Sequence, residues 1–238
     1  LIKRPHEVTN YSMPSYYAVF FNQSKNIPLK DFEVRKAFSI ELDRDAIIQT
    51  ALEGFGTKTF GPIPMGTPYF LEDIMSTSTE NATDILDAAG WKMTDSGFRE
   101  KTIKKTKIPL EVTLTVPNVD FLSKTANLLK GAWEKIGAKI NIRVSSVDVI
   151  TDDIIKNRDY EALLFGNVLS ESYDLFSFWH SSQRFSPELN LSSYNNKNAD
   201  SLIESIRQGT DKKRQESEFH ELQKIITKDY PAVFLYSI

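Results

Sequence analysis

No cysteine occurs anywhere in the 238 residues. That excludes disulfides, thiolate metal sites and cysteine nucleophiles, and is compatible with an exported bacterial protein. Histidine is almost as scarce. His6, His180 and His220 are the only three, and none falls in an H-x-x-x-H or H-E-x-x-H pattern. A histidine zinc site therefore has no support, and no metal or cofactor is expected. No G-x-S-x-G elbow, P-loop or G-x-G-x-x-G is present, which removes the commonest nucleophile and phosphate-binding motifs. No apolar run reaches the length of a membrane span. An excess of charge is lacking too. The net charge is −3, and no Lys/Arg stripe interleaved with aromatics compensates, so nucleic acid is not an expected partner. The opening LIKRPHEVTN has neither an initiator methionine nor the apolar core of a signal peptide, and a fragment of a longer chain is expected.

What is present is an ordinary globular composition, with 40% hydrophobic and 26% charged residues. SYYAVFFN (15–22), IPLEVTLTVP (108–117), AKINIRVSS (138–146), YEALLFGNV (160–168) and PAVFLYSI (231–238) have the β-branched, aromatic or alternating pattern of strands. Phe121, Leu122, Leu128, Leu129, Ala132, Trp133 and Ile136 recur at helical spacing between two of these strands, which predicts a parallel β-α-β unit. Further helices are predicted over 80–89, 147–157, 196–209 and 211–229, with a short aromatic one in 173–182. The basic run KTIKKTK (101–107) reads as a solvated loop. GFGTKTFGPIPMGTPYF (54–70) must be a loop, with four glycines and three prolines. The order of elements predicts one α/β domain over 1–238, a mixed β-sheet flanked by helices.

FSIELDRDAII (38–48) sets Glu41, Asp43 and Asp45 at alternate positions. A calcium loop starting at Glu41 would need Gly at its sixth place and Glu at its twelfth. Ala46 and Leu52 stand there. The spacing fits a helix boundary better. Asp43 can cap a helix by accepting the N–H of Asp45 or Ala46, Asp45 favours the positive end of the helix dipole, and Gly54 follows as a stop.

The stretch 166–194, GNVLSESYDLFSFWHSSQRFSPELNLSSY, follows a strand, as ligand loops of open α/β sheets do. It mixes aromatics with amides, serines and few charges, a mixture suited to holding polar chain groups. Asn167, Glu171, Tyr173, Trp179, Arg184, Asn190 and Tyr194 are the candidate ligand-binding residues. Phe176 or Phe178 is expected in the core, and His180 is read as a packing histidine. Glu171 and Asp174 could instead form the acid–base pair of a hydrolase-type domain, provided both lie in one cleft.

Seven segments, in order, resemble the extracellular solute-binding proteins of family 5, the oligopeptide- and dipeptide-binding type that serves ABC importers. They are PSYYAVFFN, PLKDFEVRKAFSIELDRDAII, GPIPMGTPYF, ATDILDAAGW, YEALLFGN with YDLFSFW, NLSSYNNKNADSLIESI and YPAVFLYSI. Leu175 stands where the family's D-P segment has proline. The resemblance implies binding without catalysis, by one lobe of a type II periplasmic-binding-protein-like fold. The chain would be the second ligand-binding lobe, with the first lobe and the C-terminal tail absent. It also implies a periplasmic or cell-surface location in a bacterium, a lipoprotein in some hosts, a peptide or similar small solute as ligand, a membrane permease as partner, and a monomer. In that reading Glu171 holds a peptide's free amine, and Arg35 and Arg44 pair with nearby carboxylates. A ligand-sensing lobe on the same fold is a further reading.

Overall fold

Strand β1 (Ser15–Phe21) shows why the chain folds around a sheet with two covered faces. Its alternation sends Tyr16, Ala18 and Phe20 into one apolar cluster and Val19 and Phe21 into another, as the two-residue period of a strand requires. The computed structural model describes residues 14–75 and 79–238. His6 and the opening decapeptide lie outside them.

After β1 come helices α1 (Phe32–Ile40) and α2 (Arg44–Ala51), the short strand β2 (Thr57–Lys58) and helix α3 (Ala82–Ala88). Strands β3 (Lys92–Met93), β4 (Arg99–Ile103) and β5 (Thr106–Pro109) form a small separate sheet. Then follow β6 (Glu111–Pro117), α4 (Asp120–Lys135), β7 (Lys139–Ser145), α5 (Val147–Val149) with a wider helical turn over Ile150–Ile154, and β8 (Ala162–Val168). The chain closes with α6 (Phe176–Trp179), α7 (Lys197–Gln208), α8 (Lys212–Asp229) and β9 (Ala232–Ser237). The main sheet has the order β2-β9-β1-β8-β6-β7. It is mixed: β6 runs parallel to β7 and β8, whereas β1 is antiparallel to both β8 and β9. One face is packed by α1 to α4, through Phe38, Ile48, Leu86, Leu129 and Trp133. The other is packed by the 150–154 turn, α6, α7 and α8, through Ile150, Trp179, Ile203 and Leu222.

The helix boundary in FSIELDRDAII is as expected. Asp43 is the N-cap of α2 and accepts the Ala46 N–H at 2.9 Å. Asp45 sits in the first turn and pairs with Lys58 at 2.9 Å. Gly90 at φ 86 and the Trp91 N–H to Leu86 O bond end α3 in a Schellman arrangement.

Three expectations are corrected. KTIKKTK is a hairpin rather than a loop, because Lys104 and Lys105 both take positive φ and close a two-residue turn between β4 and β5. The predicted strand 108–117 is two strands. The chain changes sheets at Leu110, whose N–H goes to Arg99 O while its own carbonyl accepts from Lys139. Arg35 and Arg44 bond backbone carbonyls, not carboxylates. Arg35 reaches Leu29, Lys30, Asp229 and Tyr230, where the C-terminal end of α8 leaves carbonyls without helical donors. Arg44 Nε donates to Phe234 O on the outer side of β9 at 2.8 Å.

Asp31 joins three elements. It caps α1 through the Glu33 N–H, accepts the Trp91 indole N–H at 3.0 Å, and pairs with Lys101 of β4 at 2.6 Å. Burial alone would raise its pKa, but Lys101, Trp91 and the Glu33 N–H outweigh that and hold it below the ordinary carboxylate value. Asp31→Ala should cost about 2–4 kcal/mol at neutral pH, from the lost cap and the stranded indole N–H. With the folded pKa depressed, this stabilisation is full above the unfolded-state pKa and is lost as pH falls through the folded one. Urea melts of both proteins at pH 7 and pH 3 should show the gap narrow in acid.

Candidate functional site: a cleft at one end of the sheet

The parallel strands β6, β7 and β8 all point their carboxyl ends the same way, and β1 starts and β9 finishes at that same end. A cleft of about 560 Å³ opens there. This is where open α/β sheets hold ligands, outside the strand ends at a change of strand order. Its walls are Tyr17 of β1, Val119 and Phe121 at the start of α4, Phe165 and Asn167 of β8, and Ile238. Val144, Val147 and Val168, close to this end of the sheet, are exposed, as is Ile238. The mouth of the cleft is thus apolar for a solvent-facing surface.

Local packing fixes these walls. Tyr17 meets Phe121 edge-on with centroids 5.3 Å apart and Tyr236 at 5.5 Å. A Cβ on Gly166 would stand 2.8 Å from the Tyr17 ring, so glycine lets β8 pass under the tyrosine. Asn167, only 7% exposed, has its amide Nδ2 3.0 Å from Tyr16 Oη. The same phenol oxygen receives the Trp179 Nε1–H at 3.2 Å. Burial pushes the Tyr16 hydroxyl well above the ordinary tyrosine value, so it remains a neutral phenol.

The seven candidates separate into an outer and an inner set. Asn167 lines the cleft. Glu171 is exposed on the loop that follows β8. Tyr173, at φ 54, stands edge-on to Tyr69 with centroids 6.0 Å apart. Arg184 is half-buried, with Nε donating to Ser181 O and its guanidinium over the Phe185 ring.

Trp179, Asn190 and Tyr194 are corrected: all three lie inside. Trp179 is fully buried between Phe20 and Phe234. Asn190 spends its amide on His180 O, Tyr194 O and the Tyr194 N–H. Tyr194 Oη donates to Asp229 Oδ2 at 2.6 Å. A loop folded over a sheet has to satisfy its own backbone, and the Asn190 amide does that. Phe176 and Phe178 are half-buried against the core, whereas the fully enclosed neighbours are Leu175 and Trp179. His180 packs, stacked on Phe176 at 4.6 Å with Nδ1 2.8 Å from Ser182 Oγ.

The acid–base reading loses its geometry. Asp174 accepts the Phe176 N–H and pairs with Arg207 at 3.3 Å, and neither it nor Glu171 lines the cleft. Among the described residues no group of three or more His, Asp or Glu is placed to hold a metal ion.

Sequence reasoning missed Tyr16, Tyr17, Val119 and Phe121. Their role depends on register: β1 pairs with β8 so that Tyr16 stands opposite Asn167 and Tyr17 opposite Gly166.

The pattern describing the bacterial extracellular solute-binding proteins, family 5 Middle, matches residues 3–186. The oligopeptide-binding protein AppA of Bacillus subtilis is 28% identical over 228 residues, which cover 93% of this chain and 41% of AppA. Its structure in complex with a nonapeptide superposes with a TM-score of 0.85 at 27% identity, over 95% of this chain and 45% of that one. NikZ of Campylobacter jejuni, solved with Ni(L-His), shares the fold with a TM-score of 0.82 at 20% identity, over 96% of this chain and 46% of its own. The chain thus spans less than half the length of these relatives.

Proposed function

Since the chain belongs to the bacterial extracellular solute-binding proteins of family 5, we propose that it is the second ligand-binding lobe of an ABC-importer binding protein. In this reading the complete protein closes two lobes on a peptide or similar small solute and delivers it to a membrane permease. It acts outside the cytoplasm, in the periplasm or at the cell surface of a bacterium, as a monomer. Binding favours the closed state only so far as the ligand contacts it better than the open one.

The observation that carries this reading is the cleft. It is concave, mostly apolar, holds one polar amide, and lies where β1 enters and β9 leaves the sheet. The B. subtilis relative solved with a nonapeptide supports a peptide as ligand. No helix among the described residues is long and apolar enough to cross a membrane, which accords with a partner that supplies the channel.

Glu171, exposed on the loop that follows β8, is assigned to the peptide's free amine, with Tyr173 two residues on. Arg184 sits on the 181–188 segment that Arg158 holds at the far end of β8 and takes no part. An exposed carboxylate costs little to leave unpaired in the open form and gains a charge-assisted bond when the lobes close over it. In the full-length protein, Glu171→Gln should weaken Ala-Ala-Ala binding about tenfold or more, the value of one hydrogen bond to a charged group. Calorimetry that finds the two proteins equal, or wild type binding N-acetyl-Ala-Ala-Ala as well as the free peptide, overturns the assignment.

A further inference from the structure

Trp179, Tyr16 and Asn167 form a line from the core to the cleft. An indole N–H donates and never accepts, so the first link has one direction, Trp179 to Tyr16. The buried phenol then needs an acceptor for its own proton. Among the described residues Tyr16 Oη has no partner besides Trp179 and Asn167. An asparagine amide keeps its shape through a half-turn, and its two ends are told apart by the protons around them. With Nδ2 toward the phenol, two donors meet one oxygen and the phenol proton is unmatched. With Oδ1 toward it, each donor has an acceptor: Trp179 N–H to Tyr16 oxygen, and Tyr16 O–H to Asn167 oxygen.

Among the described residues the other end of the Asn167 amide has no hydrogen-bond partner, and the residue lines the cleft. A second set of donors borders the same cleft, at the start of the helix that packs the other face of the sheet. Helix α4 runs 16 residues, its N-cap is Val119, and no side chain caps its first turn. Val119, Phe121 and Leu122 of that first turn are cleft walls. Free N–H groups at a helix start favour an oxygen acceptor.

We propose that Asn167 turns its NH2 to the cleft, held so by Trp179 and Tyr16 as positioning residues, and with the uncapped start of α4 receives a carbonyl or carboxylate oxygen of the ligand. This rests on the cleft being the ligand site. It adds the chemistry that site selects, a hydrogen-bond acceptor beside the amine-binding rim.

Two measurements test it. In this chain without ligand, NMR assignment of the Asn167 side-chain NH2 and its exchange with solvent should show fast exchange, as for an amide open to water. Slow exchange, with the NH2 held on Tyr16, overturns the orientation. In the full-length protein, Asn167→Asp keeps the shape and the oxygen but loses the donor, and should weaken Ala-Ala-Ala at least about tenfold. Unchanged or tighter binding overturns the proposal. In a Tyr16→Phe background the lock is gone, and the Asn167→Asp loss should shrink to less than about threefold, because coupled residues are non-additive. A Tyr16 that served only the core would leave that loss intact, which overturns its positioning role. Ala-Ala-Ala-amide separates the two oxygen sources: it binds like the free acid if a main-chain carbonyl is received and poorly if the terminal carboxylate is. Should the wild-type protein bind none of these peptides while the Asn167 NH2 exchanges fast, the peptide reading fails and the orientation stands.

Discussion

Titrated with Ala-Ala-Ala, this chain by itself should show a dissociation constant no tighter than about 1 mM, against about micromolar for the full-length protein. The difference follows from the cleft's shape. Sites for small ligands enclose most of the ligand surface, about 70–90% of it. The cleft here is a single wall at the end of one sheet, about 560 Å³ in volume and open to solvent on the side away from the strands. A peptide lying against it keeps its outer face in water and its outer hydrogen bonds unmade. One side of a two-sided grip supplies about half of the binding free energy. Millimolar binding corresponds to about −4 kcal/mol and micromolar to about −8 kcal/mol, so halving the contacts costs a factor of about a thousand. Calorimetry on the two proteins side by side measures it. Micromolar affinity of this chain alone would mean that its cleft is a complete site, and the two-lobe reading would be wrong.

Trp133→Ala should destabilise the fold by about 3–5 kcal/mol. Trp133 is fully buried on the inner face of α4. Its ring stacks on Phe38 with centroids 4.6 Å apart and tilts against Phe21 at 6.4 Å. Its indole N–H donates to Phe38 O at 2.9 Å. That one side chain therefore joins α4 to the end of α1 and to the central strand. Alanine removes the ring, leaves a void that close-packed neighbours fill only in part, and strands the Phe38 carbonyl. In urea the midpoint should fall by about 1 M or more with an unchanged slope, given usual slopes of about 1–3 kcal/mol per molar. Trp133→Phe keeps most of the stacking and should lose less. A loss below about 1 kcal/mol for the alanine variant would mean that α4 does not dock through this ring.

Much of the frame could be read before any coordinates. An aromatic, β-branched run identified β1, strict alternation identified β6 and a helix-period stripe identified α4, because burial leaves its pattern in the sequence. The cap at Asp43 was legible for a like reason: it solves a local problem with a local residue. The β4–β5 hairpin was hidden because Lys-Lys occupies a turn where Asn-Gly is the usual signal. Two of the four carbonyl partners of Arg35, Asp229 and Tyr230, lie 194 and 195 residues away in sequence, beyond any local pattern. The loop 166–194 misled in part because composition tells which groups a loop carries, not which side they face. Trp179, Asn190 and Tyr194 look like ligand residues and serve the interior. Tyr16 looks like core and holds the Asn167 amide that lines the cleft.

The neighbouring positions of β1 and β9 have a mechanical consequence. Tyr17 and Tyr236 stand opposite each other at the cleft end of the sheet, and adjacent strands lie about 5 Å apart. A second body joined to the strands at this end would be tethered by two short leashes a single rung apart. It could swing about the line through them like a jaw on an axle, toward or away from the cleft. It could not slide along the sheet or spin freely above it without unpairing the rungs. If such a body closes on the cleft, its direction of closing would follow from which strands sit side by side.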